Sequence, residues 1–419
     1  MATTNIGGID FGTSNSSVGC FEHGQAKLIR FGDDGIAVPS AIFYPTDSTI
    51  TAFGKQAVLQ YRSGEEGRLL RSLKSVLGSS LMSEKTTIRN KRVPFTDIIQ
   101  DFFQYLQTTL VNSTENTVES VVVGRPVHFV DDDEKKDRGA QDQLKTIATK
   151  AGFKFVDFQF EPIAAALSYE STLSKEELAL VVDIGGGTAD FTVIRLSPER
   201  RRQAVRTDDI LSTVGIHIGG TDFDRLLSLR SVMPLLGMGS GVKATERLLP
   251  GSLYFDLATW HRIPLLYNAA TLLSIKQMKM DAKEPELVQR LYDVVEGQYG
   301  HELAGAVEQV KIHLSDAENA LFELTTVADG LQGDVPRGEF EASVAQAIDK
   351  LVECVSTGLT GAGVESSAIT SVFYTGGSSS VPLLQKRIAD VFPDAKHVRG
   401  DTFGSVGLGL TIDAASKFA

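Results

Sequence analysis

A glycine-rich motif that occurs twice constrains this sequence more than any other feature. Residues 180–190 read LVVDIGGGTAD, and residues 6–16 read IGGIDFGTSNS. In each copy an apolar strand ends at an aspartate, and a turn that contains glycine and threonine follows. Glycine in such a turn leaves backbone N–H groups open to an anion, although one turn alone is equally typical of a hairpin without a ligand. The repetition predicts two related halves, each with one phosphate-binding hairpin, that face each other across a cleft.

An aspartate stands at the end of the strand in each copy, at Asp10 and Asp183. Two carboxylates beside bound phosphates are tolerable only with a metal ion between the negative charges. Magnesium takes oxygen ligands and is commonly held by carboxylates together with phosphates. The sequence therefore predicts Mg²⁺ as the metal at this site.

The composition limits the class of protein. The chain has 419 residues, of which 42% are hydrophobic, enough for two large lobes with their own cores. A net charge of −12 argues against a nucleic-acid surface. The start of the sequence predicts no signal peptide, and the sequence contains no apolar run of membrane-spanning length. The two cysteines, Cys20 and Cys354, are expected to be buried small residues in a reducing, cytoplasmic compartment.

Other segments leave alternatives open. Residues 69–78 predict a short helix that ends at Gly78, and its Lys74 points either into solvent or into the cleft. Glu161 and Pro162 open a helix, where the glutamate is either a partner of the helix dipole or a cleft carboxylate. Two further strand-to-helix turns, at residues 219–220 and 376–377, contain paired glycines of the kind that holds a phosphate or nucleoside.

Together these motifs resemble the nucleotide-binding portion of the seventy-kilodalton heat-shock (DnaK-type) chaperones, within the actin-like ATPase superfamily. The resemblance covers nearly the whole chain. Within the family, the chain is most similar to a short subgroup that lacks the peptide-binding domain. It implies an α/β, actin-like ATPase (ribonuclease H-like) fold with two lobes and a central nucleotide cleft. Lobe I would span 1–173 with an outer subdomain at about 39–96. Lobe II would span 174–395 with an enlarged outer subdomain at about 225–340, and residues 396–419 would form a helix that returns to lobe I.

The resemblance also implies the ligands, ATP or ADP with Mg²⁺, and a role for each matching residue. Lys74, Glu161, Asp183 and Thr188 would be catalytic, and Asp10 and Asp183 would hold the metal. The residues in contact with the nucleotide would be Gly12, Thr13, Ser14, Gly185, Gly186, Gly187, Thr188, Gly219, Gly220, Glu308, Lys311, Ser315, Gly376, Gly377, Ser378 and Asp401.

The function implied is a slowly ATP-hydrolysing, chaperone-like protein without its own peptide-binding domain, which acts on a separate protein partner or client. The alternative is a nucleotide-responsive binding or filament-forming module with little hydrolysis. A small-molecule kinase of the same superfamily would need a catalytic aspartate in a sugar pocket, which the sequence does not reveal.

Two departures from the family pattern stand out. The family places an arginine on each face of the adenine ring, but this chain has Ile312 and Ser380 at those positions. The stretch between Asp224 and Glu308 is also longer than in the family. Its apolar residues 233–236 and Trp260 are either a contact surface for a partner or packing within the enlarged lobe.

Overall fold

The computed structural model describes residues 5–114, 117–130, 133–203, 206–243, 245–399 and 404–418. The chain forms two compact units. Unit 1 comprises Met1–His217, Glu353–Ser379 and Ile388–Ala419, and unit 2 comprises Ile218–Val352 and Ser380–Arg387. These units do not follow the lobe boundaries expected from the resemblance, so those boundaries stay a prediction.

The elements are numbered in chain order. The strands are β1 (Asn5–Phe11), β2 (Asn15–Glu22), β3 (Gln25–Leu28), β4 (Val38–Pro39), β5 (Ala41–Pro45), β6 (Ala52–Phe53), β7 (Gly67–Arg71), β8 (Lys85–Ile88), β9 (Lys91–Pro94), β10 (Val118–Arg125), β11 (Phe155–Phe160), β12 (Glu177–Ile184), β13 (Ala189–Leu196), β14 (Ile210–Ile216), β15 (Asn319–Glu323), β16 (Gln332–Pro336), β17 (Ser371–Thr375) and β18 (Lys396–Arg399). The α-helices are α1 (Gly54–Arg62), α2 (Phe95–Asn112), α3 (Glu134–Lys150), α4 (Glu161–Glu170), α5 (Gly220–Leu227), α6 (Ser252–Leu257), α7 (Ala269–Asp281), α8 (Pro285–Glu296), α9 (Gly300–Asp316), α10 (Arg337–Ala362), α11 (Pro382–Val391) and α12 (Ser405–Phe418).

Unit 1 contains two sheets that repeat one topology. The first sheet has the strand order β3-β2-β1-β10-β11, with β4 attached to β2, and the second has the order β14-β13-β12-β17-β18. In both sheets the first three strands are antiparallel and the last three are parallel. The duplication predicted from the twin motifs is therefore present in the backbone, and each motif forms the hairpin at the middle of its sheet.

The middle strands are apolar because both faces of each sheet are covered. Val121 and Val123 of β10 are fully buried in the core that α2 and α3 complete. On α2, apolar side chains recur every three or four positions, which places one continuous stripe against the sheet. Phe103 of that stripe meets Phe11 of β1 edge to face, with ring centroids 5.1 Å apart. This packing fixes the strand that carries Asp10.

Helix α12 lies unusually close to the first sheet and to α4. A Cβ at Gly8 of β1 would stand 2.4 Å from the backbone nitrogen of Thr411, and one at Gly409 would stand 1.9 Å from the carbonyl oxygen of Ala164. Larger residues at either glycine would push the backbones apart. The last described helix of the chain is thereby packed against its first strand, and the same helix crosses α4, which begins at Glu161.

Unit 2 is mainly helical in its described part, with α5 to α9 and the hairpin β15-β16. The apolar residues 233–236 belong largely to its core, because Met233 and Leu236 are fully buried. Trp260 is half-buried and stands edge-on against His301, with ring centroids 4.5 Å apart. Packing within the unit, rather than a contact surface, therefore accounts for Met233 and Leu236.

The helix predicted for residues 69–78 is wrong. Leu69 and Leu70 lie in β7, where they pair with Phe43 and Ile42 of β5. Ser72 then adopts a positive φ of 55°, which no right-handed helix accommodates. Only Leu73–Val76 forms a single 3₁₀ turn, and this turn carries Lys74.

The cysteine prediction holds for one residue of the two. Cys20 is buried in β2, whereas Cys354 on α10 is only partly buried, and both thiols are free. Within the part of the chain that the structure describes, no helix combines the length and the apolar character that crossing a membrane requires.

Candidate functional site

The first hairpin joins β1 to β2 through a tight loop. Phe11 pairs with Ser16, so the chain reverses within four residues, 12 to 15. A Cβ at Gly12 would stand 2.1 Å from the carbonyl oxygen of Asn15, so only glycine permits this path. Thr13 and Ser14 are half-buried at the tip of the hairpin.

The second hairpin joins β12 to β13 and is built in the same way. The amide of Gly185 donates to the carbonyl of Thr188 at 3.0 Å and closes the loop. A Cβ at Gly186 would stand 2.1 Å from Oγ of Ser14. The tips of the two hairpins therefore lie against each other within unit 1, as the predicted pairing of two phosphate-binding hairpins requires.

Lys74 and Glu161 form a buried ion pair beside these hairpins. The Lys74 Nζ to Glu161 Oε1 distance is 2.5 Å, and the side chains are 12% and 11% exposed. Burial alone would lower the pKa of Lys74, but the charges of Glu161 and Asp10 outweigh it and the net shift is upward. The ammonium group therefore stays protonated and carries its positive charge into the site.

The strand-end aspartates belong to the same charge cluster. Burial raises the pKa of Asp10 to about 7, with a further rise from Glu161 and an opposing effect of Lys74. Burial also raises the pKa of Asp183 to about 8, helped by the neighbouring charges of Asp190 and Glu161. One lysine thus lies among several carboxyl groups, and the raised pKa values of Asp10 and Asp183 favour their protonated forms when no further cation is bound.

The turn that contains Gly376 lies against Asp183. Gly376 has a φ of 75°, and a Cβ there would stand 2.4 Å from the carbonyl oxygen of Ile184 and 2.8 Å from Oδ1 of Asp183. The hydroxyl of Ser379 donates to the carbonyl of Gly376 at 2.7 Å and holds the turn. Gly377 and Ser378 follow in a 3₁₀ turn that spans Gly377–Ser380.

Unit 2 carries the remaining described site residues. Gly219 precedes α5, and Gly220 is its first residue. Lys311 of α9 is buried, with its Nζ 2.8 Å from Oδ1 of Asp224 and 3.4 Å from the carbonyl oxygen of Gly220. Glu308 and Ser315 are half-buried, three residues before and four residues after Lys311 on the same helix.

The family to which this chain belongs follows from its match to the sequence model of a known family. The sequence model of the family described as Hsp70 protein matches residues 6–232 and 292–415. The chain belongs to the Hsp70 protein family. It has the actin-like ATPase fold that the resemblance implied, and the two sheets of unit 1 are the repeated halves of that fold.

Individual relatives of this Hsp70-family chain are distant but extend over almost all of it. It is 24% identical over 427 residues to "Chaperone protein HscA" of Serratia proteamaculans (strain 568), and 25% identical over 430 residues to the protein of the same name from Proteus mirabilis (strain HI4320). Both alignments cover 97% of this chain and 57% of the relative. The chain thus spans a little over half the length of these relatives.

Several residues beside the candidate site of this Hsp70-family chain were not among the site residues predicted from the sequence. Asp190 pairs with Asp183 across β12 and β13, Asp224 holds Lys311, and Ser40 bonds to the first hairpin. Asp190 was recognisable, because it ends the second motif and the hairpin register places it opposite Asp183. Asp401 lies outside the described residues.

Proposed function

We propose that this chain binds ATP with Mg²⁺, hydrolyses it slowly and acts as a chaperone-like switch on a separate protein partner or client. The observation that carries the proposal is the contact of Gly186 with Ser14, which sets two glycine-rich hairpins tip to tip beside the Lys74–Glu161 pair. Two relatives are named chaperone proteins, which supports the direction of the proposal. The cytoplasmic location and the protein partner expected from the sequence remain part of it.

The donor groups at this site fit a hydrated magnesium ion. The described residues contain no group of three or more His, Cys, Asp or Glu side chains arranged to enclose a metal. Mg²⁺ needs no such enclosure, since it keeps several waters and binds one or two carboxylates together with phosphate oxygens. Asp10 and Asp183 would hold it, and a bound cation would lower their raised pKa values and keep both carboxylates ionised. When bound, the ion would supply positive charge to the phosphates.

The side chains around the hairpins have separate tasks in this proposal. Backbone N–H groups at residues 12–14 and 186–188 bind phosphate oxygens, with hydroxyls from Thr13, Ser14 and Thr188. Lys74 directs its ammonium at the terminal phosphate, where negative charge spreads in the transition state. Glu161 holds Lys74 through one carboxylate oxygen and uses the other to orient the attacking water. Glu308, Lys311 and Ser315 contact ribose and adenine.

The first test is calorimetry with ATP, with and without Mg²⁺. We expect saturable binding that weakens at least about tenfold when magnesium is removed, because the ion would supply the positive charge that stabilises the phosphates beside Asp10 and Asp183. Asp10→Asn should reduce this dependence on magnesium. Absence of heat at millimolar ATP with Mg²⁺ would overturn the proposal.

We expect weak discrimination between ATP and GTP, with a preference of less than about 100-fold. An arginine stacked on a base contributes about 1–2 kcal/mol when water is excluded, and neither Ile312 nor Ser380 supplies one. The Ile312 side chain is 50% exposed, so the position has room for a longer residue. Ile312→Arg should therefore tighten ATP binding about tenfold in a competition assay.

The matched control for Ile312→Arg is His313→Arg, on the next residue of α9, which is also exposed. It adds the same charge but points about 100° further around the helix. Equal gains from the two variants would show a general charge effect rather than stacking. A preference for ATP above about 100-fold in the unmodified chain would mean that another residue clamps the ring.

A further inference from the structure

Hydrogen bonds hold the segment around Ser40 against the first hairpin. The sequence patterns did not indicate a function for this segment. The short strand β4 pairs antiparallel with the start of β2, with Pro39 opposite Asn15 and Val38 opposite Ser16. Ser40 follows directly and is 1% exposed. Pro39 has no N–H to donate to the hairpin, whereas Ser40 can donate through both its N–H and its hydroxyl.

Ser40 binds the hairpin at three points. Its backbone N–H donates to the carbonyl of Ser14 at 2.8 Å. Its hydroxyl donates to the carbonyl of Gly12 at 2.7 Å and lies 2.8 Å from the hydroxyl of Ser16. A serine hydroxyl can donate only one hydrogen bond, and the hydroxyl of Ser40 donates it to the carbonyl oxygen of Gly12. Ser16 is therefore the donor to Ser40, and the order of donation is Ser16 to Ser40 to Gly12.

We propose that Ser40 is a positioning residue that holds the carbonyls of Gly12 and Ser14 away from the phosphate side of the first hairpin. A loop that binds an anion through its N–H groups must keep its carbonyl oxygens turned elsewhere, because each carbonyl repels phosphate. Ser40 donates to both carbonyls and so fixes the peptide planes between them, and the proposal places phosphate on the opposite side of the hairpin. The inference rests on the proposed function, since it assigns Ser40 to phosphate binding at that site.

The test compares ATP with adenosine in Ser40→Ala. The variant keeps the backbone bond to Ser14 but leaves the buried carbonyl of Gly12 without its hydroxyl partner. We expect ATP affinity to fall about tenfold, while adenosine affinity changes less than about twofold, because adenosine has no phosphate. Ser40→Thr retains the hydroxyl and should restore ATP binding. Ser16→Ala removes only the donor to Ser40 and should have a smaller effect.

Hydrogen exchange of the peptide that covers residues 11–17 gives a readout independent of nucleotide. Exchange should be faster in Ser40→Ala than in the unmodified chain, and slower again in Ser40→Thr. The control is Ser343→Ala, which deletes a similar hydroxyl-to-carbonyl bond, 2.6 Å to Phe340, within α10. It should leave the hairpin exchange and ATP affinity unchanged.

The outcomes separate the two proposals. Equal losses of ATP and adenosine affinity in Ser40→Ala, or unchanged hairpin exchange, would overturn the role of Ser40 while leaving ATP binding intact. If the unmodified chain binds no ATP, the proposed function fails and with it the role of Ser40 in phosphate binding. If Ser40→Ala does not fold, as its thermal unfolding would show, the ratio of ATP to adenosine affinity in Ser16→Ala decides.

Discussion

Lys74→Ala should lower the rate of ATP hydrolysis about 100-fold or more and change ATP affinity only a few-fold. A group that stabilises mainly the transition state affects kcat far more than ground-state binding. The buried position of Lys74 beside Glu161, and its retained positive charge, support this expectation. Single-turnover hydrolysis and calorimetry with ATP and Mg²⁺ would measure the two quantities separately.

The matched control is Lys154→Ala. Lys154 also pairs with a glutamate, Glu119, at 2.6 Å, but the two side chains are 64% and 44% exposed. Exposed pairs contribute about 0–1 kcal/mol, so neither turnover nor affinity should change. Lys74→Arg keeps the charge but changes the shape of the cation, and should retain ATP binding with impaired turnover.

Three results would contradict a catalytic Lys74. Equal losses of affinity and rate would indicate ground-state binding. Unchanged turnover in Lys74→Ala would leave Lys74 with a structural role in the ion pair. Binding of ATP without measurable turnover in the unmodified chain would instead favour the nucleotide-responsive module with little hydrolysis.

Gly12→Ala should reduce kcat/KM about 100-fold and lower Tm, whereas Gly187→Ala should leave the fold stable. The two glycines occupy the twin hairpins, but only one of them is crowded. A Cβ at Gly12 would stand 2.1 Å from the carbonyl oxygen of Asn15, whereas one at Gly187 meets nothing within 4 Å. The alanine at residue 12 must therefore displace backbone, and a displacement of about 1 Å is enough to misplace phosphate.

The same two variants should shift the midpoint of thermal unfolding, Tm, in opposite directions. Gly187→Ala restricts the unfolded chain and should raise Tm slightly, because the folded loop accepts a methyl group. Gly12→Ala should lower Tm, since its strain exists only in the folded state. A similar fall in Tm in both variants would show that the hairpins need glycine for backbone freedom rather than for space.

The twin motifs predicted the duplicated sheets because they combine two strong signals, an apolar strand and a turn that only glycine can make. The same signals placed Asp10 and Asp183 correctly at the ends of β1 and β12. Neither signal indicates which distant residues hold a loop in place through hydrogen bonds. The role of Ser40 depends on contacts between segments more than twenty residues apart, which no local pattern encodes.

Residues 69–78 show where local patterns fail. Their leucine spacing fits a helix, but Leu69 and Leu70 gain more by completing the sheet with β5. Lys74 therefore reaches the site from a single 3₁₀ turn rather than from a helix face. The long stretch in unit 2 kept two interpretations for a related reason, since α7 is apolar on more than one side and its sequence does not reveal which face is buried.

The packing of α12 on β1 has a consequence for synthesis on the ribosome. Among the described elements, strand β1 leaves the ribosome before any other, yet the helix that covers it beside Gly8 is the last of them to emerge. One face of the first sheet therefore stays uncovered while most of the chain is translated. An apolar sheet face exposed for that long is a target for aggregation, so the nascent chain should need protection by chaperones until α12 is released.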